Sequence, residues 1–134
     1  MKTLLLLGAI ALSINVFAQS KVKIVYDLSV SENLGGQMTW DEAKKACADY
    51  GIGWRLPTKR EIKILYKNKD KIGGFYVMGY WSSTEGNSSL SLEDDDSAYV
   101  EFFSIGRGDY QLKRYSKHYV RAVRDAPIPY GQRY

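Results

Sequence analysis

Thr39-Trp40-Asp41-Glu42-Ala43 and Pro57-Thr58-Lys59-Arg60-Glu61 each open a helix in a way that can be read from the residues alone. In both, a threonine hydroxyl can take an orphan backbone N–H while the glutamate three positions on reaches back for another, a capping box. After the first start, Trp40, Ala43, Cys47 and Tyr50 recur at spacings of three to four, one apolar stripe that ends at Gly51. After the second, Ile62, Leu65 and Tyr66 supply the buried face, and the helix is expected to fade between Asn68 and Gly73.

Outward from these helices the pattern changes to that of strands. Upstream, Lys21 to Tyr26 alternates basic and apolar residues, the period of a half-buried strand, and Asp27 to Gln37, with Gly35-Gly36, reads as a loop. Downstream, Phe75 to Ser83, Ala98 to Ser104, Tyr110 to Arg114 and Tyr119 to Arg124 are strand candidates, with Gly106-Arg107-Gly108 as a hairpin signal. The polar insert Glu85 to Ser97 reads as a surface loop, and the tail after Ala126, with Pro127 and Pro129, cannot continue a central strand. The order strand, helix, helix, strands predicts an α+β domain, two helices packed on a twisted, mostly antiparallel sheet.

Composition bounds the function. The 134 residues, 45% hydrophobic and 25% charged, suit one globular domain with one core, and a formal charge of +4 is a mild excess. Three prolines, twelve glycines and one cysteine exclude a collagen, a disulfide framework and a cysteine-ligated zinc site. Met1-Lys2-Thr3, the apolar run Leu4 to Phe17 and the small residues to Ala18 read as a secretion leader, residues 1–18, cleaved after Ala18. The run is too short for a membrane anchor, so no stable membrane insertion is expected after cleavage. The domain then spans residues 19–126 and the tail 127–134, and the mature chain is expected to be secreted or periplasmic, or held at the cell surface.

Five blocks in order carry a resemblance: Met38 to Ala43, Gly53-Trp54-Arg55-Leu56-Pro57-Thr58, Tyr80-Trp81-Ser82-Ser83-Thr84-Glu85, Ala98-Tyr99-Val100-Glu101-Phe102, and Tyr119 to Arg124. Together they resemble the Lcl C-terminal-like domain family of bacterial envelope and secreted proteins. The resemblance implies a C-type-lectin-like fold whose chain termini meet, and a role in adhesion or glycan binding. It also implies a cysteine partner at the position of Ala122; with alanine there, Cys47 is expected to be a small buried hydrophobe.

Enzymatic chemistry has little to stand on. The same fold hosts formylglycine-generating enzymes, which need more cysteines than one, and a serine triad would need His118, which reads as an exposed strand-end histidine without a carboxylate neighbour. Glu93-Asp94-Asp95-Asp96 offers oxygen ligands for calcium, but adjacent acids point their carboxylates apart, and the Glu-Pro-Asn and Trp-Asn-Asp signatures of calcium lectins are absent. A solvated acidic loop is expected, with no catalytic residue, metal or cofactor. Arg121 and Arg124 read as structural, stems on aromatics and heads on carboxylates, and Trp54, Tyr80 and Trp81 as core. The candidate ligand site is the basic hairpin with its tyrosines: Arg107, Tyr110, Lys113, Arg114, Tyr115 and Lys117, with Tyr119 nearby. Such a set suits an acidic polysaccharide or an envelope protein; nucleic acid is not expected for an exported chain of this charge. The resulting expectation is an exported binding module, the alternatives being a structural subunit of an envelope assembly or a relative of the formylglycine-generating enzymes.

Overall fold

The computed structural model describes residues 22–87 and 96–127. The expected leader at 1–18, Glu93 to Asp95 of the acidic run, and the tail beyond Pro127 lie outside the described residues.

Strands β1 (Lys23–Val25), β2 (Leu28–Asn33), β3 (Gly79–Gly86), β4 (Ser97–Phe102), β5 (Arg107–Leu112) and β6 (Arg121–Asp125) surround helices α1 (Trp40–Tyr50), α2 (Lys59–Lys67) and the single turn α3 (Lys69–Ile72). They form two three-stranded antiparallel sheets, β1-β2-β6 and β3-β4-β5, where one sheet was expected. The first sheet pairs β2 with β6, Val30 opposite Val123, so the two ends of the described chain meet as the resemblance implies. Isolated bridges tie Val123 of β6 to Arg55, in the segment between α1 and α2, and Tyr80 of β3 to Tyr119, just before β6.

Both helices start where the capping residues place them. At Thr58 the box is complete: the Glu61 N–H donates to the threonine hydroxyl at 3.2 Å, and the Thr58 N–H to the Glu61 carboxylate at 2.9 Å. At Thr39 the hydroxyl instead donates to the Glu42 carboxylate at 2.7 Å, which lowers that carboxyl's pKa. Trp40, Ala43 and Cys47 are buried as the stripe requires, and Tyr50 donates its hydroxyl to Glu32 at 2.7 Å. Asn68 ends α2, and α3 adds one turn before Gly73.

Two strand readings are corrected. Asp27 to Gln37 is not all loop, because Leu28–Asn33 is a strand buried on both faces. Its serines hid it: Ser31 is fully buried because its hydroxyl accepts the Ala122 N–H at 2.8 Å, a partner from the far end of the chain. The hairpin turn between β4 and β5 lies at residues 103–106, with Phe102 opposite Arg107, so Arg107 and Gly108 are already strand. Gly106 has φ +70°, and a side chain there would run into the Tyr66 ring.

The single core expected for this length is divided by the β3-β4-β5 sheet. Tyr99 and Phe103 join Ile62 and Leu65 of α2, while Ala98 and Val100 join Trp40, Ala43 and Cys47 of α1. Alternate residues of β4 face opposite sides and both are covered, which is why Ser97 to Glu101 are all buried. Trp54, Tyr80 and Trp81 lie in these cores as expected.

Candidate functional site

The hairpin divides Arg107 and Tyr110 between two faces. Arg107 is exposed and sits opposite Phe102, whereas Tyr110 sits opposite Tyr99 with its ring edge-on at 5.7 Å. Residues three apart on a strand face opposite sides, so these two cannot share a ligand face. Lys113 is also committed: its side chain is only 15% exposed, with Nζ 3.0 Å from the Glu85 carboxylate and 4.3 Å from the centre of the Trp40 ring. Arg114, Tyr115 and Lys117 are exposed beyond the strand, and Lys117 contributes to the low pKa of Glu42. Tyr119 packs on Tyr76 at 4.5 Å and on Tyr80 at 5.8 Å rather than standing free.

Of the two arginines in β6, Arg121 is structural, with different acceptors from those expected. Arg121 is 3% exposed; its Nε donates to the Ser31 carbonyl and its Nη1 to the Gly73 carbonyl, each at 2.6 Å, and its guanidinium lies 4.2 Å from the centre of the Phe75 ring. Carbonyls, not carboxylates, hold it. Arg124 remains exposed over Trp54 at 4.8 Å.

His118 is not the exposed histidine that the sequence suggested. Its ring stands edge-on to Trp81 at 4.9 Å and to Phe102 at 6.0 Å, and its Nε2 is buried without a hydrogen-bond partner. Burial pulls its pKa from 6.5 to about 4. The unfolded chain takes up this proton below about pH 6.5 and the folded chain only near 4, so stability is full above 6.5 and declines on acidification. Allowing for partial solvent access, urea unfolding at pH 7 and pH 5 is expected to differ by about 1 to 2 kcal/mol from this group. His118→Phe should flatten that dependence; an unchanged slope would place its origin elsewhere.

Cys47 is fully buried and its thiol is pushed up to about 12, which leaves no usable nucleophile at neutral pH. Among the described residues no three His, Cys, Asp or Glu side chains gather where a metal ion could bind.

A concavity lies along α2. With Ile62 and Leu65 turned inward, Lys59, Lys63 and Lys67 follow one another at every fourth position on the outer side, and Arg60 and Ile64 lie beside them. Together with Tyr26, Asp27 and Asn68 they line a groove of about 800 Å³. Among the described residues no carboxylate pairs with Lys59, Arg60 or Lys67, while Lys63 Nζ lies 3.8 Å from Oε2 of Glu101. Glu101 is fully buried beneath the stripe; its Oε1 accepts the Tyr99 hydroxyl at 2.8 Å, and burial together with this carboxylate holds the Tyr99 phenol well above its ordinary pKa. Lys59 Nζ sits 4.6 Å from the centre of the Tyr99 ring. Like charges at every fourth position repel by roughly 0.2 to 0.5 kcal/mol per pair, a cost that an anion in the groove removes. The lysine spacing is visible in the sequence, on the side of the helix away from the apolar face that marks it.

No protein-family model and no curated protein matches the chain in sequence. Solved structures do match in shape. Botrocetin superposes with a TM-score of 0.58 at 12% identity over 81% of this chain and 98% of its own. EMS16, an antagonist of the collagen receptor integrin α2β1, gives 0.54 at 12% identity over 79% and 98%. The snake venom toxin convulxin gives 0.53 at 10% identity over 81% and 98%. The chain therefore has a C-type-lectin-like fold of the α+β class.

Proposed function

We propose that this chain is an exported, non-enzymatic binding module related to the Lcl C-terminal-like family, and that it holds an acidic polysaccharide in the groove along α2. One observation carries the reading: Lys59, Arg60 and Lys67, which have no carboxylate partner among the described residues, line a groove with an aromatic ring at its rim. Charge-assisted hydrogen bonds from such a stripe suit sulfate or carboxylate groups repeated along a polymer. The inert Cys47 and the His118 ring, whose buried Nε2 has no hydrogen-bond partner among the described residues, favour binding over catalysis. Export rests on the leader at residues 1–18, and a place in the periplasm or at the cell surface belongs to the same reading.

A second reading, an interaction subunit of an envelope assembly, draws on the comparisons. Botrocetin is seen in complex with the von Willebrand factor A1 domain, and EMS16 is named as an integrin antagonist, so this fold docks proteins elsewhere. An acidic protein face in the same groove is the form this takes here.

A glycan array at low and at physiological salt separates the two. Retention of acidic glycans that weakens with salt supports the first reading, and silence on glycans with a co-purifying acidic protein supports the second. The variant Arg60→Gln/Lys63→Gln/Lys67→Gln is expected to lose roughly tenfold or more in affinity, since each charge-assisted contact is stronger than a neutral one. Arg107→Gln/Arg114→Gln should bind as the parent does. The reverse pattern would move the site back to the hairpin.

A further inference from the structure

The turn between β1 and β2 consists of Tyr26 and Asp27, with Val25 opposite Leu28 across the ladder. Tight hairpin turns of this length need positive φ at a central position, a place glycine occupies without strain. Here the residue is a tyrosine with φ +55°, the one non-glycine residue with positive φ among those described. For a bulky side chain this backbone conformation is an outlier. The fold makes no use of the ring in return: Tyr26 is 78% exposed and, among the described residues, packs against no aromatic ring or cation. The turn is instead held from outside, by the Ala126 N–H donating to the Asp27 carbonyl at 2.6 Å and by Leu28 pairing with Asp125.

The position of this ring is specific. Tyr26 and Asn68 line the α2 groove and also a second hollow of about 300 Å³, formed with Lys23, Ile24, Val25 and Lys71. Tyr26 thus stands on the divide between Lys59, Arg60, Lys63 and Lys67 on one side and Lys23 and Lys71 on the other. A polyanion that uses both sets of cations must cross the ring. Asp27 lies at the same rim and repels an anionic group placed directly beside the turn.

We propose that Tyr26 is a stacking platform, on which one sugar ring of an acidic polysaccharide lies flat while the anionic groups of its neighbours reach the lysines on either side. This rests on the reading of the α2 groove given above and deepens it, naming the residue that distinguishes a charged saccharide from other polyanions. Lysines attract sulfate, carboxylate and phosphate alike; an exposed aromatic face adds contact only for a ligand with a flat apolar face of its own, such as the C–H face of a pyranose. The backbone strain at this position is then retained for the ligand, not for the fold.

The test compares the parent, Tyr26→Gly, Tyr26→Phe and the Arg60/Lys63/Lys67 glutamine variant on two probes, dextran sulfate and inorganic polyphosphate, together with melting temperatures. Tyr26→Gly is expected to lose roughly tenfold on dextran sulfate, keep its affinity for polyphosphate, and melt no lower than the parent, since glycine relieves the turn. Tyr26→Phe should retain both ligands, and the glutamine variant should lose both. If Tyr26→Gly binds dextran sulfate as the parent does, loses both probes equally, or melts lower, the platform is overturned while the groove reading stands. Parent protein that binds neither probe overturns the groove and the platform together.

Discussion

Gly108→Ala is expected to abolish the folded state or to cost more than about 4 kcal/mol, a large part of the roughly 5 to 15 kcal/mol that holds a domain together. Gly108 lies in β5 opposite Glu101, and a Cβ on it would stand 1.8 Å from the Val100 carbonyl oxygen and 2.8 Å from the Tyr99 hydroxyl oxygen. The first contact is with the backbone of the neighbouring strand and cannot be relieved by a rotamer change. The second displaces the hydroxyl that donates to buried Glu101 at 2.8 Å, and leaving that buried acceptor without its donor adds about 1 to 3 kcal/mol. Gly36→Ala is the matched control, because a side chain there meets nothing within 4 Å, and it should change stability by less than about 0.5 kcal/mol. Urea unfolding of both variants decides the matter. Equal midpoints would mean that β4 and β5 are not paired in this register.

Arg121→Met should cost about 2 to 5 kcal/mol. Methionine keeps an apolar stem near Phe75 but removes both donors, leaving the Ser31 and Gly73 carbonyls without the hydrogen bonds that hold β2 and the α3 terminus to β6. Arg121→Lys does not repair the loss, since a single ammonium does not reproduce the planar fork that addresses two separated acceptors. Arg124→Met, on the exposed arginine over Trp54, should cost less than about 1 kcal/mol. A calorimetric comparison in which the two variants melt together would show that burial of the Arg121 head contributes nothing.

These two residues mark where reading the chain from its sequence stops. Arg121 was legible as structural from its place in an apolar strand, but its acceptors were not, because Ser31 is 90 positions away and Gly73 is 48. The same distance hid β2, whose serines look like loop chemistry until the β6 backbone arrives to satisfy Ser31. A turn at Gly106-Arg107-Gly108 would leave Arg107 outside the ladder and free to join Tyr110 in one basic patch; with Phe102 opposite Arg107 the two face opposite sides. Lys59, Lys63 and Lys67 were legible as a stripe from spacing alone. That the stripe meets Tyr26 at the rim of a groove depends on the β1–β2 turn lying against α2, which no local pattern reports.

What the amino-acid sequence determined by itself is whatever closes within one helical turn or one strand: both capped helix starts, the buried stripe of α1, the core positions of Trp54, Tyr80 and Trp81, and the α+β order of elements. Each depends on side chains a few positions apart, where the chain has little freedom to place them otherwise. The tertiary structure alone decided which charges are spent and which are left over. Lys113 and Arg121 are bound into the fold, while Arg60 and Lys67 have no carboxylate partner among the described residues, because an ion's partner is set by which distant backbone or carboxylate packs against it.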